Sequence, residues 1–276
     1  MNKPSTGVQA SVLCAFALVF IGRCLAAPVV LNEYNAVDPD KYLGGGTAAV
    51  DDNGGRAGDS YFGRVLGNGG DWFELVVVTD HLDMRRWLLD IYQDGTLDES
   101  LMLSNEGLWS DLRSGTIITV SEDVSTNASY NPAGGDWWIN VQANDDADGL
   151  YIERSNFPVS SSNWQLRIRN AAGTVVFGPA GEGISPQSGV GGTEVFKLRA
   201  IPTDATPADS ADYDDDDKLS TFGAPNRWGI QDLTSLRAAT GLPSECETPA
   251  DLNGDCVVNL TDLAILAASW LAGANP

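Results

Sequence analysis

Residues 165–170 read Q-L-R-I-R-N, and this strict alternation decides the fold class. Leu166 and Ile168 fall on one face and Arg167 and Arg169 on the other, which is the period of a strand with one side buried. Similar runs lie on both sides of it, at residues 29–34, 71–78, 87–92, 116–121, 137–142, 150–153, 164–169, 174–177 and 194–199. Val, Ile, Trp and Tyr dominate these runs, while Gly, Asn, Asp and Pro separate them. Many short strands without intervening helices predict a mainly β domain, a sandwich or barrel. The roughly 170 residues they span are ample for one core.

Two segments stand apart from the strand pattern. Residues 38–70 carry GGG, DDNGG and GNGG, and a loop of that length is functional or mobile; a disordered insertion is expected here. Residues 202–218 are acidic and include D-Y-D-D-D-D-K, which reads as a linker. Acids outnumber bases 38 to 16, giving a formal charge of −22. That balance argues against nucleic-acid or anionic-membrane partners, which need Lys and Arg to displace counterions, and leaves cations as the natural counter-partners.

The C-terminal stretch D-L-N-G-D-C-V-V-N-L-T-D is followed at once by the apolar pattern LAILAASWL. Asp251, Asn253, Asp255, Asn259 and Asp262 stand at positions 1, 3, 5, 9 and 12 of a calcium loop, with Val257 giving its carbonyl at position 7. Ca²⁺ wants six to eight oxygens, and a loop of this type supplies them at this spacing. The helix that follows carries Leu263, Leu266, Ala267 and Trp270 on one stripe, which must be buried against residues 231–240, a second copy of the chain or a receptor. A weaker candidate loop is N-D-D-A-D-G, where Asn144, Asp146 and Asp148 fall at positions 1, 3 and 5; a β-turn with an Asp-Gly corner explains it equally well.

The N-terminus reads as an export signal: Lys3, then the apolar run ASVLCAFALVFIG, then CLAA. Cleavage after Ala26 is expected, with a retained anchor as the alternative. The processed chain then keeps Cys246 and Cys256, and an even, close pair in an exported protein suggests a disulfide, with free thiols the alternative. Closing so short a loop is worth roughly 2–3 kcal/mol on the chain-entropy model.

Catalytic signatures are scarce. No H-E-x-x-H, G-x-S-x-G, Walker or G-x-G-x-x-G context is present, and His81 is the one histidine, which leaves no triad or zinc site. Glycoside hydrolysis needs only two carboxylates about 5 to 9 Å apart. Glu33 and Glu74, each on a predicted strand, are the pair to examine, either as such acids or as acceptors for turn backbones. Among eight tryptophans, Trp137 and Trp138 are adjacent on a predicted strand, so one points out of the core. The outward ring is a candidate platform for a sugar, or packs beneath the glycine-rich loop.

The C-terminal residues resemble the repeat of type I dockerins, D-x-N-x-D-x-x-x-N-x-x-D before a Leu-rich helix. That family carries two repeats where this chain has one. The resemblance implies a calcium-folded module that binds a cohesin-like receptor and tethers a secreted protein to a polysaccharide-degrading assembly or a surface. The pieces V-V-L-N-E-Y, G-D-W-F-E-L-V-V-V, L-D-M-R-R-W-L-L and S-T-F-G-A-P-N look like a lamin-tail domain, through Asn32, Glu33, Asp71, Trp72, Glu74, Trp87 and residues 223–226. Departures are Phe222 where proline is usual, R-R for the usual S-G before Trp87, and the insertion after Val37. This second resemblance implies an immunoglobulin-like sandwich acting as a binding or adaptor module.

The organisation expected is a signal at 1–26, a lamin-tail-like sandwich at 28–200 with its insertion at 38–70, an acidic linker and closing segment at 201–229, and a helical segment with the calcium repeat at 230–276. The function expected is a secreted, non-catalytic binding and anchoring protein, extracellular or at the cell surface, that uses Ca²⁺ and meets no membrane once the signal is removed. Rival expectations are a carbohydrate-active hydrolase or polysaccharide-binding component, and a calcium-held structural surface protein.

Overall fold

The structure is a computed structural model that describes residues 27–51, 58–182, 189–199, 212–226 and 260–273. The expected signal and both cysteines, Cys246 and Cys256, lie outside these residues, as do Asp251, Asn253, Asp255, Val257 and Asn259 of the calcium loop.

Ten strands form two sheets. They are β1 (Val29–Asn35), β2 (Trp72–Val77), β3 (Leu88–Gln93), β4 (Thr96–Met102), β5 (Ile117–Ser121), β6 (Trp138–Gln142), β7 (Trp164–Arg169), β8 (Val175–Gly181), β9 (Val195–Leu198) and β10 (Tyr213–Asp217). The larger sheet runs β10-β9-β1-β2-β5-β6 and the smaller β4-β3-β7-β8. Every pairing is antiparallel except β5 with β6. The inner faces share one core in which Leu31, Tyr34, Phe73, Leu75, Ile118 and Val120 of the larger sheet join Leu89, Ile91, Trp164, Leu166 and Ile168 of the smaller. Trp164 bridges the layers, with its ring 4.5 Å from Tyr34 and 5.8 Å from Phe73 between centroids. The mainly β class expected from the alternation of residues 165–170 is observed, and of sandwich or barrel the two sheets are the sandwich form.

The smaller sheet shows how its outward charges are held. Asp90, fully buried on the outer side of β3, accepts from Arg167 (3.0 and 2.7 Å), Arg169 (2.6 and 2.7 Å) and the Ser100 hydroxyl (2.7 Å). The Arg167 guanidinium also lies over the Tyr92 ring, 4.9 Å from its centroid. The Arg167–Arg169 alternation therefore places two cations on one carboxylate of the neighbouring strand. Against the cost of burial, these donors hold Asp90 below the usual carboxylate range, at about 2.

Four expectations are corrected. Residues 150–153 form no strand; only Ile152 makes a bridge, to Leu103, beyond the turn at Gly149. β4 is a strand although T-L-D-E-S-L-M is polar, because it is an edge paired to β3 through the two-residue turn Asp94-Gly95, both at positive φ (50° and 75°). The acidic segment expected as linker contains β10: Tyr213 stacks on Phe196 (4.8 Å) and donates to the Leu31 carbonyl (2.9 Å), while Asp214 pairs with Arg199 (2.7 Å). Its acids tolerate a strand because it is a bulged edge, where outward charge also blocks further pairing.

The fourth correction concerns the glycine-rich insertion. Its described residues, 38–51 and 58–70, fold onto the outer face of the larger sheet. Arg64 fastens this layer from within, donating to the carbonyls of Leu43 (2.6 Å) and Gly45 (2.7 Å) and to Asp51 (2.8 Å), with its guanidinium 4.6 Å above Tyr42.

Replacing Asp90 with Ala leaves two guanidinium groups beside each other without their acceptor. We expect a loss of about 2–3 kcal/mol in urea unfolding with an unchanged m-value. A loss below about 0.5 kcal/mol, the scale of an ordinary surface substitution, would show the cluster to be ornamental.

Candidate functional site

The two glutamates singled out in the sequence are neighbours in the fold, and a β-bulge brings them together. β1 pairs with β2 in regular register from Val29 to Leu31, then Asn32 is inserted, and Glu33 stands opposite Glu74. Side chains alternate in a strand, so without the extra residue Glu33 would follow Leu31 into the core. The bulge turns it to the outer face of the larger sheet, where Glu74 lies, and returns Tyr34 to the core. Lys197 of β9 is the register partner of Glu33 on its other side.

Outward does not mean exposed here. Glu33 and Glu74 are both 0 % exposed and Lys197 only 3 %. The lid is the closing segment after β10. Thr221 donates to Glu33 from its backbone N–H (3.2 Å) and its hydroxyl (2.9 Å), and the Gly223 N–H donates to Glu74 (2.7 Å). Asn32 donates from its side chain to Glu74 (2.5 Å). Lys197 Nζ lies 3.4 Å from Glu33 and donates to the Leu219 carbonyl. Asn226 Nδ2 reaches the Asn32 carbonyl (3.0 Å), Asn32 Oδ1 (3.0 Å) and the Leu198 carbonyl (3.1 Å), locking the segment across β1 and β9. Both carboxylates therefore accept turn-backbone N–H groups, as the structural alternative expected.

Asp59, from the insertion, joins this network and was not foreseen. It accepts from the backbone N–H of Tyr61 (2.6 Å), Phe62 (3.0 Å) and Phe222 (3.0 Å), and from the Ser220 hydroxyl. The Asp-x-Tyr-Phe spacing, an Asp whose side chain caps the following turn, was the available signal. Beside the network lies a cavity of about 520 Å³, lined by residues including Asp59, Lys197, Arg199, Asp214, Ser220 and Thr221.

Electrostatics set these carboxylates apart from ordinary ones. Burial, then the neighbouring Glu33 charge, pushes Glu74 well above its usual value. Burial also raises Glu33, against the opposing pull of Lys197. On the same sheet Asp71 is pushed up to about 6 by burial and by Glu122.

The tryptophan pair divides. Trp138 is the outward ring, but Phe222 (5.8 Å) and Tyr61 (5.6 Å) pack on it and its Nε1 donates to the Thr119 hydroxyl (2.9 Å). Gly223 sits so close that a Cβ there would lie 2.5 Å from the indole, and its φ of +71° already favours glycine. Trp138 thus lies beneath the glycine-rich layer and offers no open stacking platform; Trp137 is half-buried.

At the second candidate calcium loop, Asn144 accepts from the Asp146 N–H (3.0 Å) and donates to the Glu122 carbonyl (2.7 Å), while Asp148 accepts from the Leu150 N–H (2.9 Å). These are turn-forming bonds, and Asp146 and Asp148 point to solvent. Among the described residues no group of three or more His, Cys, Asp or Glu side chains is placed to hold a metal ion.

Of the C-terminal loop the structure describes Asp262, which is buried in the first turn of helix α1 (Leu260–Gly273). The apolar run read as helical is helix α1. Leu263, Leu266 and Trp270 of its apolar stripe are 57 %, 49 % and 77 % exposed. Among the described residues no helix is long and apolar enough to cross a membrane.

A carboxyl raised in the folded state binds its proton more tightly there, so its contribution favours the fold at acid pH. That contribution is lost as pH rises from the unfolded value through the folded one. Glu74 and Asp71 place this window from about pH 4 through 6 and beyond. We therefore expect the melting temperature of the β signal to fall across that range, with a shallower slope in Glu74→Gln; equal slopes would assign the effect elsewhere. Asn226→Ala should cost about 2–3 kcal/mol by removing the lock on β1 and β9, read by chemical denaturation, and a neutral result would mean that the segment closes without it. Scans against protein-family models, curated proteins and solved structures find no match to this chain.

Proposed function

We propose that the chain is an exported binding and anchoring protein: a lamin-tail-like, immunoglobulin-like sandwich serving as a stable adaptor body, followed by a dockerin-like calcium module that docks to a surface receptor of the cohesin type. The observation that carries the reading is the contrast between the two ends. The body seals its carboxylates, with Glu33 and Glu74 enclosed and bonded to the closing segment. The tail leaves an apolar helical stripe in solvent.

The sealed pair speaks against the hydrolase alternative. A glycosidase must bring its two carboxyl groups to either side of a scissile bond, and here Thr221 and Gly223 occupy that space. The tail's donor set supports calcium by its chemistry. Asp251, Asn253, Asp255, Asn259 and Asp262 offer side-chain oxygens and Val257 a carbonyl, the hard ligands Ca²⁺ prefers. The ion neutralises the loop acids and so fixes the start of α1. The helix then presents Leu263, Leu266 and Trp270 as an i, i+3, i+7 row to a hydrophobic groove on the receptor.

Calcium titration calorimetry on the processed chain, beside an Asp251→Ala/Asp255→Ala double variant, tests the reading. One site present in the wild type and absent in the variant is expected, with chelation removing helical signal and leaving the β signal intact. No binding in the wild type, or loss of both signals in one transition, would reject the calcium-folded module.

A further inference from the structure

The register partnership of Glu33 and Lys197 carries a consequence independent of the docking reading. A carboxylate and an ammonium that face each other across two strands are ordinarily an ion pair, and such pairs are favourable when well hydrogen-bonded or wet. Here each partner directs its hydrogen bonds elsewhere rather than to the other. Lys197 Nζ stands 3.4 Å from Glu33 Oε2, beyond the 2.7–2.9 Å typical of charge-assisted bonds. The side chains are 4 % and 0 % exposed. The ammonium's hydrogen bond goes instead to the neutral Leu219 carbonyl. A buried pair held this loosely keeps most of its desolvation cost.

A second buried acid lies beside it. Glu74 is the register partner of Glu33 on the opposite strand and on the same face of the sheet. An amine, a carboxyl and a neighbouring proton carrier, enclosed away from bulk water, are the parts needed to condense the first two.

We propose that Lys197 and Glu33 form an intramolecular amide, a covalent cross-link between β9 and β1, with Glu74 as the proton carrier. One ammonium proton neutralises Glu33, and the free amine attacks its Cδ. The C–N bond forms, the protonated Glu74 gives its proton to the departing hydroxyl and takes the second proton from nitrogen in its place, and the Cδ–O bond breaks. An ammonium and a carboxylate become an amide and one water, so atoms and charge balance with no co-reactant.

The surroundings suit the product as well as the reactants. The remaining N–H still donates to Leu219, and the amide oxygen still accepts from Thr221. Both buried charges disappear. The water has an exit, because Lys197, Leu219, Ser220 and Thr221 line the adjoining cavity. The link would join the first strand of the sandwich to a strand more than 160 positions later in the chain.

Intact-mass spectrometry of the reduced, unfolded wild-type chain, followed by tryptic mapping, decides the matter. The expected mass is lower than that of the sequence by one water. Trypsin should fail to cut after Lys197, and one branched peptide should contain Glu33 and Lys197. The deficit should vanish in Lys197→Met and fall in Glu74→Gln, in which both bonded residues remain. A wild-type chain at full sequence mass and cut after Lys197 overturns the proposal without reference to any variant. A one-water deficit that maps to an Asp-Gly site, 94–95 or 148–149, overturns it equally.

Discussion

Two carboxylates placed side by side away from water must each find donors, and at least one must find a proton. The larger sheet is organised around that requirement. Asn32 is the origin of the problem and part of its solution: as the extra residue of the bulge it turns Glu33 outward to face Glu74, and its own amide then donates to Glu74. The other donors come from a segment almost 190 residues further on, through Thr221 and Gly223. Closing the sandwich and satisfying the pair are therefore one event. Formation of the 219–226 lid is coupled to β1, β2 and β9 through hydrogen bonds that are made to water wherever the lid is open, so they form together with the closure.

The two outer faces treat buried charge in opposite ways. On the smaller sheet Asp90 is neutralised by two arginines and kept strongly acidic. On the larger sheet Lys197 is the one cation set against Glu33 and Glu74 among the described residues, and burial drives both carboxyls upward. The difference follows from cover. Arg167 and Arg169 remain a quarter or more exposed and keep water, whereas an added layer shields the other site. That layer is an aromatic cluster in which Phe222 contacts Tyr61, Phe62, Trp72 and Trp138 at 4.8–5.8 Å. The insertion after Val37 and Phe222, two places where the sequence departs from the lamin-tail pattern it resembles, thus touch each other. Tyr61 and Phe62 of the insertion need a flat apolar partner, and a proline ring at 222 would leave them little to pack on.

Strand identity was legible wherever one face of a strand meets the core, as at Leu166/Ile168 and Phe73/Leu75, because burial writes a period of two into the residues. It was not legible in β4 and β10. Both are edges whose outward positions meet water, so charge is tolerated and the period disappears; Asp94-Gly95 was the signal that could have recovered β4. The glycine-rich insertion misled for a different reason. Its order depends on few residues, chiefly Arg64, Asp59 and Asn68, which bonds Asn35 and Ser220; apart from the local turn that Asp59 caps, their partners are distant in sequence, and local composition carries no trace of those. Glu33 and Glu74 were identified as a pair worth examining, yet their contact depends on a one-residue bulge that no local pattern marks. Trp138 was recognised as the outward ring, but what covers it belongs to loops whose course only the fold reveals.

The place of Asn226 in the sandwich bears on the anchoring proposal. Asn226 is fully buried and grips the Asn32 and Leu198 carbonyls, over the middle of the larger sheet rather than along its β10 edge. A load arriving through Asn226 would pass to Thr221 on Glu33 and Gly223 on Glu74. These bonds would be strained together across β1, β2 and β9, whereas a tail leaving from β10 would let an edge strand peel away one pair at a time. A lid that carries both the carboxylate donors and the tether would thus meet force with its most cooperative contacts. An amide between Lys197 and Glu33 would add a covalent tie between the two strands to which Asn226 is fastened.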